Sequence, residues 1–227
     1  MIIKTESTIF NVNADCIVNT INCVGFMGKG LALEFSLRYP ELEKKYIDEC
    51  KKKLIHTGKV YFYEINGQKI INFPTKFHFK YPSEMKWIKE GLEYFISNYK
   101  KWDIKSIAFP LLGASNGGLD AKEVEKVMEY YLSKIDIDVF ICYSKLLEGK
   151  EKEMVEGIKK ASVDLIAKNV KLNINQKMNL ENNKGSINRF VDVSKIPEIG
   201  TKTYKDIFDL FYNGGPKKEE YEVKKLF

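Results

Sequence analysis

The 227-residue chain is predicted to fold as an α/β layered structure around a mixed sheet, and three observations carry that expectation. Short apolar runs alternate with segments of helical period along most of its length. Two of those runs lead through glycine-rich turns straight into amphipathic segments, the signature of a strand, a loop and a helix that packs back on the sheet. One Asn66-Gly67 pair between β-rich runs marks a hairpin, so at least one strand is antiparallel.

The elements follow in order. Residues 2–5 and 14–19 read as strands, and residues 31–38 and 41–54 read as helices interrupted by Pro40. Residues 59–65 and 69–73 flank the hairpin turn. A long amphipathic helix is expected over 83–102 with Ser83 as its N-cap. A buried strand over 106–112, a helix over 120–135, a strand over 138–143 and a helix over 148–167 complete the pattern. Beyond Asn169 the composition turns rich in Asn and Lys, then aromatic over 204–212, then charged. The expected division is therefore a domain over 1–168 and an extension over 169–227, either an ordered arm or partly disordered.

Composition bounds the function. At 44% hydrophobic and 30% charged residues the chain can bury a sizeable core, and a net charge of +6 permits an acidic or nucleic-acid partner without requiring one. Cys16, Cys23, Cys50 and Cys142 form no C-x-x-C pair and only His56 and His78 accompany them, a poor set for structural zinc, so no metal is expected. No signal peptide is visible and no apolar run approaches ~18 residues, which points to a reducing cytoplasm and no membrane. No exposed apolar stripe stands out, and a monomer is expected.

Three segments carry chemistry. The first runs from Asp15 to Phe35, where an apolar strand ends in Asn19 and Asn22 and passes through Gly25, Gly28 and Gly30 into a helix. Glycines let backbone N–H groups approach a ligand, and a helix N-terminus attracts anions, so this loop suits phosphate. Its spacing matches neither G-x-x-x-x-G-K-[ST] nor G-x-G-x-x-G. The second segment, Phe109 to Asp120, repeats the strand, small-residue loop and helix through Gly113, Ala114, Ser115, Asn116, Gly117 and Gly118. Two such loops suit a diphosphate, although glycines also serve simply as tight turns. The third is Asn72-Phe-Pro-Thr75-Lys76-Phe-His-Phe-Lys80. Pro74 keeps it extended, and Lys76 lies among Phe73, Phe77 and Phe79. Read from the residues alone, Lys76 is either a solvated surface lysine or a partly desolvated amine usable as a nucleophile. Asp120 is either the N-cap of the following helix or a catalytic carboxylate.

In their order, Asp15-Cys-Ile-Val-Asn-Thr-Ile-Asn22, Gly25-Phe-Met-Gly-Lys-Gly30 and Pro110-Leu-Leu-Gly-Ala-Ser-Asn-Gly-Gly118 resemble the macrodomain family over roughly residues 1–168. With Asn72-Phe-Pro-Thr-Lys76 and Asn116-Gly-Gly-Leu-Asp120, the likeness narrows to the branch whose members remove ADP-ribose from DNA or protein. The resemblance implies a three-layer αβα fold and an ADP-ribosyl hydrolase acting on a DNA base or an acidic protein side chain without a cofactor. A non-catalytic ADP-ribose reader, or a protein that neutralises a cognate ADP-ribosyltransferase toxin, is the alternative. Lys76 would act at the anomeric carbon and Asp120 would move the proton. Asn22 would meet the distal ribose, inside a binding set of Thr8, Ile9, Asn19, Gly25, Met27, Gly28, Lys29, Gly30, Thr75, Leu112 and Gly113 to Gly118. Two departures stand out. Ser7-Thr8-Ile9 occupies the stretch where relatives carry an adenine-binding aspartate, and Gly113-Ala-Ser115 replaces the usual Gly-x-Gly of the diphosphate loop.

Overall fold

A computed structural model describes residues 1–216; the charged end expected from the sequence lies partly outside them. The chain divides into two compact units after Leu146, and each is described by itself.

In the first unit the strands are β1 (Ile2–Thr5), β2 (Cys16–Asn22), β3 (Tyr61–Ile65), β4 (Gln68–Lys76), β5 (Ser106–Pro110) and β6 (Asp138–Cys142). They form one sheet in the order β1-β6-β5-β2-β4-β3. Every neighbouring pair is parallel except the β3–β4 hairpin, which turns at Asn66-Gly67. The helices are α1 (Gly30–Arg38), α2 (Pro40–Lys51), α3 (Met85–Asn98) and α4 (Ala121–Leu132).

Alternation along the strands decides which helix covers which face. Val18, Ile71, Phe73, Ile107, Phe109, Val139 and Ile141 pack with Ile88, Leu92 and Phe95 of α3 and Val124, Met128 and Leu132 of α4. Ile17, Ile70, Ala108 and Cys142 pack with Phe35 of α1 and Leu42 of α2 on the opposite face. The result is the expected three-layer αβα arrangement. Truncating a fully buried ring such as Phe73 to alanine removes ~3–5 kcal/mol.

This layering places the site. The connection from β2 goes to one face and that from β5 to the other, although the two strands are neighbours. A crevice opens at such a switch point, outside the carboxyl ends of the strands.

Local differences from expectation have physical causes. Pro40 starts α2 rather than merely interrupting a helix, because its missing N–H is harmless at the first helical position. β4 extends to Lys76, three residues further than β-rich composition suggested. Pro74 is tolerated because β3 pairs only as far as Asn72 and leaves Pro74 no ladder partner on that side. The long helix splits into α3 and a 3-10 turn at Tyr99–Trp102, and its N-cap is Glu84 rather than Ser83.

The second unit contains α5 (Gly149–Lys160), α6 (Val163–Asn169), α7 (Ile174–Asn183) and α8 (Thr201–Tyr212). Thus the helix expected over 148–167 is two helices, restarted at Ser162, whose hydroxyl accepts the Leu165 N–H at 3.3 Å. Asn173 and Gln176 close a capping box on α7, giving regular structure to part of the Asn- and Lys-rich stretch. Buried Met154, Val155, Ile158, Phe190, Tyr204, Ile207, Phe208 and Phe211 line these elements. Within this unit Arg189 makes a two-pronged pair with the nearly buried Glu151, Nε to Oε1 at 2.8 Å and Nη2 to Oε2 at 2.7 Å. The division after Leu146 therefore lies ahead of the composition change at Asn169, because α5 is built with α8 rather than with the sheet.

Candidate active site

The first glycine loop hangs from one asparagine. Asn22 ends β2; its Oδ1 accepts the N–H groups of Val24 (3.0 Å) and Phe26 (3.4 Å), and its Nδ2 donates to the Phe26 carbonyl at 2.7 Å. The side chain thus replaces a backbone ladder for a loop that has none. Tyr46 of α2 secures the asparagine, its hydroxyl donating toward both the Asn22 carbonyl (2.9 Å) and Oδ1 (3.0 Å). Gly30, with φ of +57°, turns the chain into α1 where a side chain would be strained. Lys29 caps that helix without a side-chain hydrogen bond, and its first turn holds no acidic residue. Its leading N–H groups therefore remain available to an anion.

The second loop is built from backbone. Leu119 N–H donates to Gly113 O at 3.1 Å, Gly118 N–H to Ser115 O at 3.3 Å, and Ser83 N–H to Gly117 O at 2.9 Å. A Cβ at Gly117 would collide with the Gly113 carbonyl and with Ser83 Oγ, so only glycine lets the loop fold on itself. Ser83 lies beneath this loop, buried, its Oγ without a partner among the described residues. Asp120 is exposed and caps α4, accepting the Glu123 N–H at 2.9 Å. Of its two sequence-derived roles, the cap is present, and capping leaves its second carboxylate oxygen unused by that bond.

Lys76 stands between the loops. β2 and β4 pair with one offset from Cys16 to Ile21, then a bulge at Thr75 brings Asn22 opposite Lys76. Lys76 Nζ donates to the Asn116 carbonyl in the second loop. A side chain at Gly30 would meet the Asn116 amide, so the two loops approach each other at that asparagine. Lys76 is half-buried and makes no ion pair among the described residues. Desolvation therefore acts unopposed and lowers its pKa from the ordinary 10.5. Burial works the other way on the nearby thiols. Cys23 and Cys50 are each pushed up to about 11 by desolvation, which disfavours their thiolates.

The remaining expected residues fall into two groups. Asn22, Gly25, Gly28, Lys29, Gly30, Thr75 and Gly113 to Gly118 sit on loops or strand ends at the crevice. Asn19, Met27 and Leu112 are buried within the structure; Asn19 donates to Asn72 Oδ1 at 2.8 Å inside the sheet and positions the two strands. Thr8 and Ile9 are also buried, in the connection after β1, which is tied to the end of β6 by Tyr143 N–H to Thr5 O and Ser144 N–H to Ser7 O. Since β1 is four strand positions from β4, their carboxyl ends lie ~19 Å apart along the sheet edge, a span that suits an elongated ligand. Sequence reasoning missed Tyr46 and misread Ser83. Tyr46 gave no signal because it occupies an ordinary core position of an amphipathic helix. Ser83 looked like a cap because it precedes one.

Known proteins share this arrangement. A model of the Macro domain family matches residues 18–128. DNA ADP-ribosyl glycohydrolase of Mycobacterium tuberculosis is 38% identical over 164 residues, which cover 70% of this chain and 46% of that protein. The chain spans less than half the length of that relative. The solved macrodomain of Mycobacterium tuberculosis DarG is 37% identical, with a TM-score of 0.61 over 63% of this chain and 97% of that one. Thermosipho africanus DarTG, solved in complex with ADP-ribose, is 35% identical, with a TM-score of 0.59 over 65% of this chain and 43% of that one. With nearly the whole of a solved macrodomain matched at that identity, on a six-stranded sheet with both glycine loops at its carboxyl edge, the chain belongs to the macrodomain family.

Proposed function

We propose that this protein is an ADP-ribosyl hydrolase that removes mono-ADP-ribose from a macromolecule, a DNA base or an acidic protein side chain, through Lys76. The observation that carries the reading is a half-buried amine with a lowered pKa, without a carboxylate partner among the described residues, beside two loops whose backbone suits an anion. The diphosphate lies along the N-terminus of α1 and the Gly113 to Gly118 backbone. The distal ribose meets Asn22, and the anomeric carbon faces Lys76.

The chemistry suits those groups. As the bond from the anomeric carbon to the leaving group lengthens, the carbon gains oxocarbenium character and the Lys76 nitrogen forms a bond to it. The leaving group departs with the electron pair and takes up the proton that the attacking amine gives up as it forms the carbon–nitrogen bond. Water then adds at the anomeric carbon, the carbon–nitrogen bond breaks, and Asp120 moves the proton between water and amine. Free ADP-ribose and the unmodified macromolecule result.

Names of the relatives support this reading: three are DNA ADP-ribosyl glycohydrolases, and a fourth is a fusion with a DNA ADP-ribosyl transferase. The fusion also supports a cognate ADP-ribosyltransferase toxin as partner. In this reading the protein works in the cytoplasm as a monomer, needs no metal or cofactor, and carries its chemistry within residues 1–168. No helix among the described residues is long and apolar enough to cross a membrane. The test is Lys76→Ala against ADP-ribosylated oligonucleotide and ADP-ribosylated glutamyl peptide in parallel. Release should fall by at least ~100-fold on the true substrate while calorimetric ADP-ribose binding persists. Unchanged turnover ends the lysine mechanism, and binding without turnover in the wild type favours a reader.

A further inference from the structure

Beside Lys76, residues of the two segments that form the crevice mouth are exposed where apolar rings are normally covered. Phe26 is 48% exposed, Phe77 59%, Phe79 40% and Tyr81 63%. They are not scattered. The Phe26 and Phe79 rings lie 4.6 Å apart, His78 stacks on Phe79 at 4.4 Å, and Tyr81 lies 5.5 Å from His78. The backbone holds the platform in place: Cys23 N–H donates to Phe77 O at 3.0 Å, and Tyr81 N–H donates to His78 O at 3.1 Å. Phe26 is also braced from below, since its ring rests on the bare Cα of Gly28.

Charge selects the occupant. Gly25 to Gly30 and Lys76 to Tyr81 contain neither Asp nor Glu, yet they carry Lys29, Lys76 and Lys80, and Lys80 Nζ lies 6.0 Å from the centre of the Phe79 ring. Apolar planes rimmed by cations and without acids fit stacked bases joined by phosphates, and they disfavour an acidic peptide, which has no planes to stack. A duplex hides its base faces, whereas a single strand presents them.

We propose that Phe26, His78, Phe79 and Tyr81, with Lys80, form a stacking platform for single-stranded nucleic acid running out of the crevice from the modified nucleotide. The proposal deepens the hydrolase reading by naming the residues that would hold the strand flanking the modified nucleotide, and it rests on that reading for the modified nucleotide itself. Binding of the flanking strand itself does not require hydrolysis. The platform fixes the strand by its base faces, which are common to all sequences, so affinity for an unmodified strand should vary little with sequence.

The experiment measures binding of an unmodified fluorescent single-stranded oligonucleotide by anisotropy, and release of ADP-ribose from an ADP-ribosylated oligonucleotide and from the corresponding ADP-ribosylated nucleoside. The F79A/Y81A double variant should lose 10- to 100-fold in oligonucleotide binding and show a raised KM on the oligonucleotide, with release from the nucleoside unchanged. Lys80→Gln should lower the slope of log affinity against log salt by about one. The proposal is overturned if wild type binds duplex as tightly as single strand, if F79A/Y81A keeps its affinity, or if the double variant impairs release from a modified peptide instead. Failure of wild type to release ADP-ribose from any substrate counts against the hydrolase reading alone. Loss of the platform effect with turnover intact counts against the platform alone.

Discussion

The two glycine loops share an outline and differ in what holds them. The Gly25 to Gly30 loop depends on side chains, Asn22 bonding three backbone groups and Tyr46 holding Asn22 in turn. The Gly113 to Gly118 loop depends on its own backbone and on the missing Cβ of Gly117 above Ser83. The lesson is that a glycine loop can be preorganised either by a polar side chain acting as a template or by close self-packing. The two solutions fail in different ways, the first gradually and the second abruptly.

The largest expected effect tests what the second loop hands to its helix. Asp120→Asn preserves the cap, because asparagine caps as well as aspartate, and removes the carboxylate. Turnover should fall ~10²–10⁴-fold with thermal stability unchanged if Asp120 transfers the proton. A variant with wild-type turnover would reduce Asp120 to a cap. Next, Gly117→Ala should collapse the second loop, since the clash is with backbone that has nowhere to go. ADP-ribose affinity by calorimetry should drop by more than ~10-fold, and near-normal affinity would contradict the self-packing account.

Breaking the first loop should cost less binding and more stability. Asn22→Ala leaves the Val24 and Phe26 amides without their acceptor and should lower stability by ~1–3 kcal/mol in a denaturant titration. Tyr46→Phe removes one buried donor and should cost ~0.5–1.5 kcal/mol while the loop stays formed. If Tyr46→Phe is the more damaging, the template lies in α2 rather than in Asn22.

Lys76 sits opposite Asn22 in the ladder, donates to the second loop, and supplies the pH test. Desolvation lowers its pKa, so the folded state gives up the proton more readily than the unfolded chain does. The buried charge therefore opposes folding at neutral pH and ceases to do so as pH rises through the ordinary value of 10.5. The neutral amine, the nucleophile of the proposed mechanism, also grows with pH. A plot of log kcat/KM should rise on its alkaline limb with a midpoint below 10.5, and a midpoint at or above it would remove desolvation from the mechanism.

Much of this was legible because glycine, proline and asparagine announce local geometry. Gly25, Gly28, Gly30 and Asn66-Gly67 marked turns that the structure contains, and the apolar runs marked the central strands. What stayed hidden depends on partners distant in sequence. Ser83 resembles a cap until Gly117, 34 residues later, accepts its N–H. The boundary after Leu146 was hidden because helical period continues past it, and only packing between α5 and α8 reveals which unit that helix joins. Exposure of Phe26, Phe79 and Tyr81 was equally hidden, since an aromatic in a sequence reads as core unless the fold leaves it uncovered.

The bulge at Thr75 makes the end of β4 a matter of counting. From Asn19 to Asn22 the second strand spends three residues, and from Asn72 to Lys76 its neighbour spends four. Deleting Thr75 would make the ladder regular, leave every core contact upstream intact and keep the lysine opposite Asn22, but it would remove the local bend by which the bulge aims that side chain. A single-codon deletion at this point should therefore re-aim the amine on which the proposed mechanism depends without erasing the fold, whereas an added residue in the exposed Asn66-Gly67 turn would lengthen a loop and leave the amine where it is.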